Sequence, residues 1–266
     1  MPKTSLSPEA TLERSLARMV HRLREAAEDN LLGVATYGAP AKSRHASGSG
    51  AAEVNILVVV ANATLQALLP LAPVLTSAQR QSQVSSFVAT PAELRVDAQL
   101  FPARLLEMRL THRLLYGDVH LDRLEIAPRG LRFAALQELE NLEIRLRHRI
   151  LDRGTDPDLL WAGIVQSLPR LVAILETVLH AQAGERRERP ATRSDLVRLA
   201  AETLGIEPSR LEPINVLRQL SSRPTDEVVR EELGDYLALL ADLVRHLGRL
   251  AAADGMPPEV SASVWE

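Results

Sequence analysis

Two spacings of apolar residues divide the chain. In the first part, short apolar runs alternate with turns. Residues 31–37 form one such run and stop at Gly38. Residues 54–61 form another, β-branched and almost uniformly apolar, which predicts a central strand covered on both faces. Residues 84–89 predict a third strand. Residues 94–101 predict a further one, with Asp97, Gln99 and Phe101 on one face. Ser7-Pro8-Glu9 opens a helix whose stripe is Leu12, Leu16, Met19, Val20 and Leu23. Asp29-Asn30 ends that helix. Asn62 is the expected cap of a short helix through Leu65, Leu68 and Leu69, broken near Pro70 and Pro73. Thr90-Pro91-Ala92-Glu93 has the form of a capping box and predicts one helical turn.

From Pro128 the period becomes 3.6. Leu131, Ala135, Leu139, Leu142, Leu146 and Ile150 make one long amphipathic stripe. Asp156-Pro157 opens another through Trp161, Val165, Leu168, Val172, Leu175 and Leu179. A charged loop at 184–190 follows, then a short helix from Ser194-Asp195 to Gly205 and another at 208–220. Thr225-Asp226 opens the last helix, carrying Val229, Leu233, Leu237, Leu240, Val244 and Leu247. The predicted class is α+β. A mixed-sheet domain with flanking helices spans 1–125, an antiparallel helical bundle spans 126–254, and 255–266 is a weakly ordered tail.

Composition narrows the function classes. At 266 residues, the chain can bury a sizeable core, and aromatics at 3% leave that core to Leu, Val, Ile and Ala. A formal charge of −3 argues against a general nucleic-acid binder, which needs a basic face. The absence of cysteine excludes disulfides, thiolate metal sites and thiol catalysis. No membrane span is expected, because no apolar run reaches the ~18 residues that a bilayer demands. No signal-peptide h-region is seen at the N-terminus, so a cytoplasmic, bacterial protein is the expectation.

The polar residues of the first part cluster around two runs. Glu53 and Asn55 stand two apart at the start of the second strand. They therefore share a face and point toward the loop after Gly38. Lys42, Arg44 and His45 add positive charge to that loop. They read either as phosphate contacts beside a glycine or as solvated surface bases.

This arrangement resembles the nucleotidyltransferase superfamily of DNA polymerase β and the aminoglycoside nucleotidyltransferases. Tyr37-Gly38-Ala39-Pro40-Ala41-Lys42-Ser43-Arg44 stands where that family has Tyr-Gly-Ser-x-Ala-x-Gly-Arg. Ala52-Glu53-Val54-Asn55-Ile56-Leu57-Val58-Val59 stands where it has Ser-Asp-Ile-Asp-Leu-Leu-Val-Val. Leu100-Phe101-Pro102, Glu107-Met108 and His112-Arg113-Leu114-Leu115-Tyr116-Gly117-Asp118 resemble a segment of a bacterial subgroup with a helical C-terminal region. Leu131-Arg132, Glu138-Leu139 and Arg145-Leu146-Arg147 continue it. The resemblance implies a nucleotide site at Gly38, Ala39, Lys42 and Arg44. It also implies catalytic positions at Glu53, Asn55 and Gln99.

The polar positions depart from the family. Its Ser is Ala39, its second Gly is Ser43, and its three carboxylates fall on Glu53, Asn55 and Gln99. Nucleotidyl transfer in such a family uses two Mg²⁺ ions, which want carboxylate and phosphate oxygens. Here three negative charges fall to one. Asp97, on the predicted strand, is the one residue able to restore a second, through a bulge or register shift. With it, Glu53 and Asp97 are the metal ligands of an active, Mg-dependent enzyme moving a nucleoside monophosphate from a triphosphate to an acceptor. Without it, the chain is a pseudoenzyme that needs no cofactor and binds a nucleotide, a protein partner or a second copy of itself. Glu107 is a further candidate base for an acceptor hydroxyl. The family's Glu in that segment falls on Arg104.

Overall fold

The computed structural model describes residues 7–38, 54–154, 156–183, 190, 192–211, 214 and 224–254. The chain divides into two compact units, Met1–Ile126 and Ala127–Glu266.

In the first unit α1 (Pro8–Ala27) begins where expected. The Ser7 hydroxyl accepts from the Ala10 N–H at 3.2 Å, satisfying one of the free amides of the first turn. A 3-10 turn, Glu28–Asn30, passes the chain into β1 (Leu31–Tyr37). β2 (Val54–Val60), α2 (Leu65–Leu68), α3 (Ala72–Ser82) and β3 (Val84–Ala89) follow. Pro73, in the first turn of α3, opens that helix rather than merely breaking the one before. Asn62 is not the cap of α2, whose N-cap is Thr64. Its side-chain oxygen instead accepts from the Thr64 N–H at 2.8 Å, and its own N–H donates to Asn30 Oδ1 at 2.8 Å.

The prediction for residues 94–101 is overturned. They lie in and just after a helix, α4 (Pro91–Leu100). The eight-residue window alternates apolar and polar residues, which suits a strand, but Leu94 and Ala98 are also one helical turn apart and both are buried. The start signal decides between the two periods. Thr90 and Glu93 form a complete capping box, and Pro91 sits where its missing N–H costs nothing. A second helix, α5 (Pro102–Thr111), leads into β4 (Arg113–Gly117).

The four strands run in the order β3-β2-β1-β4. β1 is antiparallel to β2 and β4, and β3 is parallel to β2. On one face, Val34, Ile56, Val58 and Val60 pack with Leu16, Met19 and Leu23 of α1 and Val74 of α3. Alternation turns Ala35, Leu57 and Val59 to the other face. That face belongs to α4 and α5, which bury Leu94, Ala98, Leu105 and Met108. β2 is thus covered on both sides, as its uniformly apolar sequence predicts.

The second unit is a helical bundle of α6 (Pro128–Arg153), α7 (Pro157–Ala183), α8 (Arg193–Leu204), α9 (Pro208–Leu211) and α10 (Asp226–Ala253). Asp156 caps α7, its Oδ1 accepting from the Asp158 and Leu159 amides at 3.0 and 3.3 Å. The cap of α8 is Thr192, two residues before the predicted Ser194, and Gly205 ends that helix in the left-handed region (φ 65°). Most of the predicted 208–220 helix, the loop at 184–189 and the tail at 255–266 lie outside the described residues.

Among the described helices α7 alone is long and apolar enough to cross a membrane, with a mean hydropathy of 1.4 over its most apolar window. Its neighbours account for that composition: α6, α8 and α10 all pack against it, and a helix enclosed on several sides loses its polar face. At its centre Ser167 donates to the Ile164 carbonyl at 2.6 Å and accepts from the Tyr236 hydroxyl at 2.8 Å. Burial pushes the Tyr236 phenol up to about 12.

Candidate functional site

The end of the sheet where β1 finishes and β2 and β3 begin carries the described polar groups of the resemblance. Register places Asn55 between Tyr37 of β1 and Ser85 of β3. Residues directly opposed across strands share a face, so a phenol, an amide and a hydroxyl make one row. All three side chains are half-buried. The adjacent row on the same face is apolar: Ala35, Leu57 and Phe87.

Gly38 closes the row beside Tyr37. It is buried, with φ 88°, a region that glycine enters without strain. Its N–H donates to the Thr111 hydroxyl at 2.8 Å, and that hydroxyl donates to the Glu107 carbonyl at 2.7 Å. The C-terminal end of α5 is thereby fixed to the end of β1. Near the other end of α5, the Arg104 guanidinium lies over the Phe87 ring, 4.2 Å from its centroid.

These two contacts fix the course of α5. It crosses the sheet from β3 at Phe87 to β1 at Gly38. Phe87 is level with Ala35, three residues short of Gly38, so the path is a diagonal of ~14 Å across two strand spacings; seven residues of helix rise ~10.5 Å and the reach of the Arg104 side chain supplies the rest. Arg104, Glu107 and Thr111 fall at i, i+3 and i+7, one stripe of the helix. The stripe crosses the rows diagonally, with Arg104 over Phe87 in the apolar row, Thr111 at Gly38 past the end of the polar row, and the exposed Glu107 between them on the helix.

Two other predicted positions that are described, Asp97 and Gln99, are not gathered there. Asp97 and Gln99 share no strand face, since they lie on α4. Two residues of helix turn through ~200°, so their side chains diverge, with Asp97 half-buried and Gln99 exposed. A bulge or register shift that would carry Asp97 toward Glu53 has no strand to act on. Glu53, Ala39, Lys42 and Arg44 lie outside the described residues. Asp118, of the matched Tyr-Gly-Asp segment, follows Gly117, which pairs with Gly33 at the opposite end of β1. The His120 N–H donates to its carboxylate at 2.7 Å and holds it below the usual carboxylate range, with the nearby His120 and Arg123 charges adding to the effect.

A pair of Mg²⁺ ions does not fit what is described here. The ions need several hard, charged oxygens in near-ideal octahedra. The central position of the row is a neutral amide, and the third position is on a helix surface. Among the described residues no group of three or more His, Asp or Glu is placed to hold a metal ion.

Gly38 and Asn55, both singled out in the sequence, lie at this end of the sheet, and three residues beside them carry no sequence signal of their own. Ser85 was placed in a strand without its register. Thr111 and Phe87 carried no motif. β4 was missed as a strand; its signal is a short apolar run, Leu114 to Tyr116, ended by Gly117.

No known family profile matches the chain, and no curated protein matches it. Two solved structures are similar to it. One is a spectinomycin adenyltransferase from Enterococcus faecialis, solved with ATP and spectinomycin. It is 16% identical with a TM-score of 0.45, covering 86% of this chain and 99% of its own. The other is a nucleotidyltransferase-like protein from Exiguobacterium sibiricum. It is 13% identical with a TM-score of 0.39, covering 91% of this chain and 79% of its own.

Proposed function

We propose that the first unit is a nucleotidyltransferase-like module that binds a nucleotide without carrying out two-metal transfer, in a bacterial cytoplasmic protein. The observation that carries this reading is the row Tyr37, Asn55 and Ser85. Its centre is the position where the resemblance expects a metal-holding aspartate, and its members are all neutral hydrogen-bonding groups. An amide offers one weakly charged oxygen to a cation, and it also offers two N–H donors to a phosphate or ribose oxygen. Glu53 alone keeps a carboxylate from the original three. One carboxylate leaves a metal pair repelling itself with too little anionic charge around it.

The test is calorimetric titration with ATP, in EDTA and then with Mg²⁺. The expected result is heat of binding that persists in EDTA and in Glu53→Ala. Heat that requires Mg²⁺ and is lost in Glu53→Ala overturns the reading in favour of a Mg-dependent transferase. A chain that binds no nucleotide and copurifies with a protein, or with itself, overturns it in favour of partner binding.

A further inference from the structure

We propose that Arg104 is the anion contact of this site. Its guanidinium, held over Phe87, takes a phosphoryl group of the bound ligand and supplies the positive charge that a metal would otherwise bring. The inference rests on the nucleotide-binding reading and names the group that would recognise the phosphate.

Three observations converge on it. The first is that Arg104 is exposed yet positioned. A long side chain on a helix surface ordinarily samples many rotamers, and ordering it costs entropy on binding. The contact with Phe87, with the guanidinium carbon 4.2 Å from the ring centroid, restrains the head group beforehand. Its edge, with five N–H donors in a rigid fork, stays open to solvent, and that fork matches the oxygens of a phosphate.

The second is that no described residue engages these donors. Among the described residues Arg104 has the Phe87 stack and no ion pair or hydrogen bond. Arg113 is held by a bidentate bond to Glu13, and Arg123 pairs with Asp118. No described residue neutralises Arg104, whose guanidinium lies over Phe87 beside the polar row.

The third is reach. Phe87 and Ser85 are two residues apart on one strand face, so Arg104 sits ~6.7 Å along the strand from the row. Two hydrogen bonds of ~2.9 Å, one from the guanidinium and one from the Ser85 hydroxyl, span most of that length, and a tetrahedral oxyanion between them fills the rest. The anion therefore belongs at the β3 side, away from Glu107, whose charge opposes it one helical turn on.

Arg24 is an internal control. Its guanidinium stacks on Tyr116 at 4.8 Å. Tyr116 is in register with Val34, so this stack lies on the opposite face of the sheet.

The experiment is calorimetric titration in EDTA with ATP, pyrophosphate and adenosine. The proteins are the full chain, Arg104→Ala, Arg104→Lys and Arg24→Ala, each checked for fold by circular dichroism. A charge-assisted phosphate contact of this kind is worth roughly 10- to 100-fold in affinity. Arg104→Ala is expected to lose that factor for ATP and pyrophosphate and to leave adenosine unchanged. Arg104→Lys should recover part of it, keeping the charge without the planar fork. Arg24→Ala should bind like the parent.

Equal ATP affinity in Arg104→Ala and the parent overturns the assignment while the nucleotide-binding reading stands. So does an equal loss for adenosine. A parent chain that binds pyrophosphate but no nucleotide keeps the anion site and sinks the nucleotide reading. A parent that binds neither ATP nor pyrophosphate in EDTA sinks both.

Discussion

Thr111→Val tests the joint that holds α5 over the polar row. Valine replaces threonine at nearly constant volume, so no cavity opens, and the change is the loss of one hydroxyl. That hydroxyl accepts from the buried Gly38 N–H at 2.8 Å and donates to the Glu107 carbonyl at 2.7 Å. The carbonyl is not orphaned, because it keeps its helical acceptor role toward the Thr111 amide. The Gly38 N–H is orphaned, and a buried donor left without a partner costs about 1–3 kcal/mol. The assay is amide hydrogen exchange at Gly38. Where exchange runs through local opening, that cost becomes a rate increase of roughly 5- to 150-fold. Thr111→Ser keeps the oxygen and should exchange like the parent. A valine variant no faster than the parent, or a serine variant as fast as the valine one, would refute the claim that this bond fixes α5 to the end of β1.

Two further outcomes are expected away from the joint. Gly117→Ala should destabilise the first unit by about 2 kcal/mol or more in urea unfolding. The residue sits at φ 63°, and an added Cβ would run into the Leu32 carbonyl, a backbone atom unable to swing aside. In the bundle, the Tyr236 phenol is raised from 10.0 to about 12, so the folded state favours its neutral form. That stability is fully present below pH ~10 and is lost as pH rises toward ~12, because the unfolded chain releases the proton first. The loss is about 2–3 kcal/mol, and Tyr236→Phe should flatten this alkaline limb in thermal unfolding followed across pH.

The strands and the site differ in how far the sequence reveals them. β2 was legible because burial on both faces writes itself into a run of apolar, largely β-branched residues, and β1 and β3 because short runs with apolar residues at both ends stand between turns. β4 was not: Arg113, Leu114 and Gly117 are exposed and none of its five residues is fully buried, so it carries little burial signal, whereas β3, the other edge, buries Val84 and Ala89. Residues 94–101 fit two periods at once, and eight positions are too few for hydrophobicity to separate them. The Thr90–Glu93 box, which did separate them, was readable in advance but was taken for a single turn.

The candidate site shows the same division more sharply. The face that Asn55 occupies follows from alternation along one strand, so it was readable from its own neighbours. Its companions depend on register: Tyr37 on the β1–β2 pairing, which carries an irregularity at Leu31/Gly33, and Ser85 on the unbroken β2–β3 pairing. A one-residue slip in either pairing would turn a different set of side chains toward α5. Arg104 depends on more still: on the course of a helix pinned at one end by Thr111 on Gly38 and resting at the other on Phe87. A motif comparison sees Arg104 as a lost glutamate. The folded chain places that residue where no motif would, with its guanidinium over Phe87, one row along the strands from Tyr37, Asn55 and Ser85.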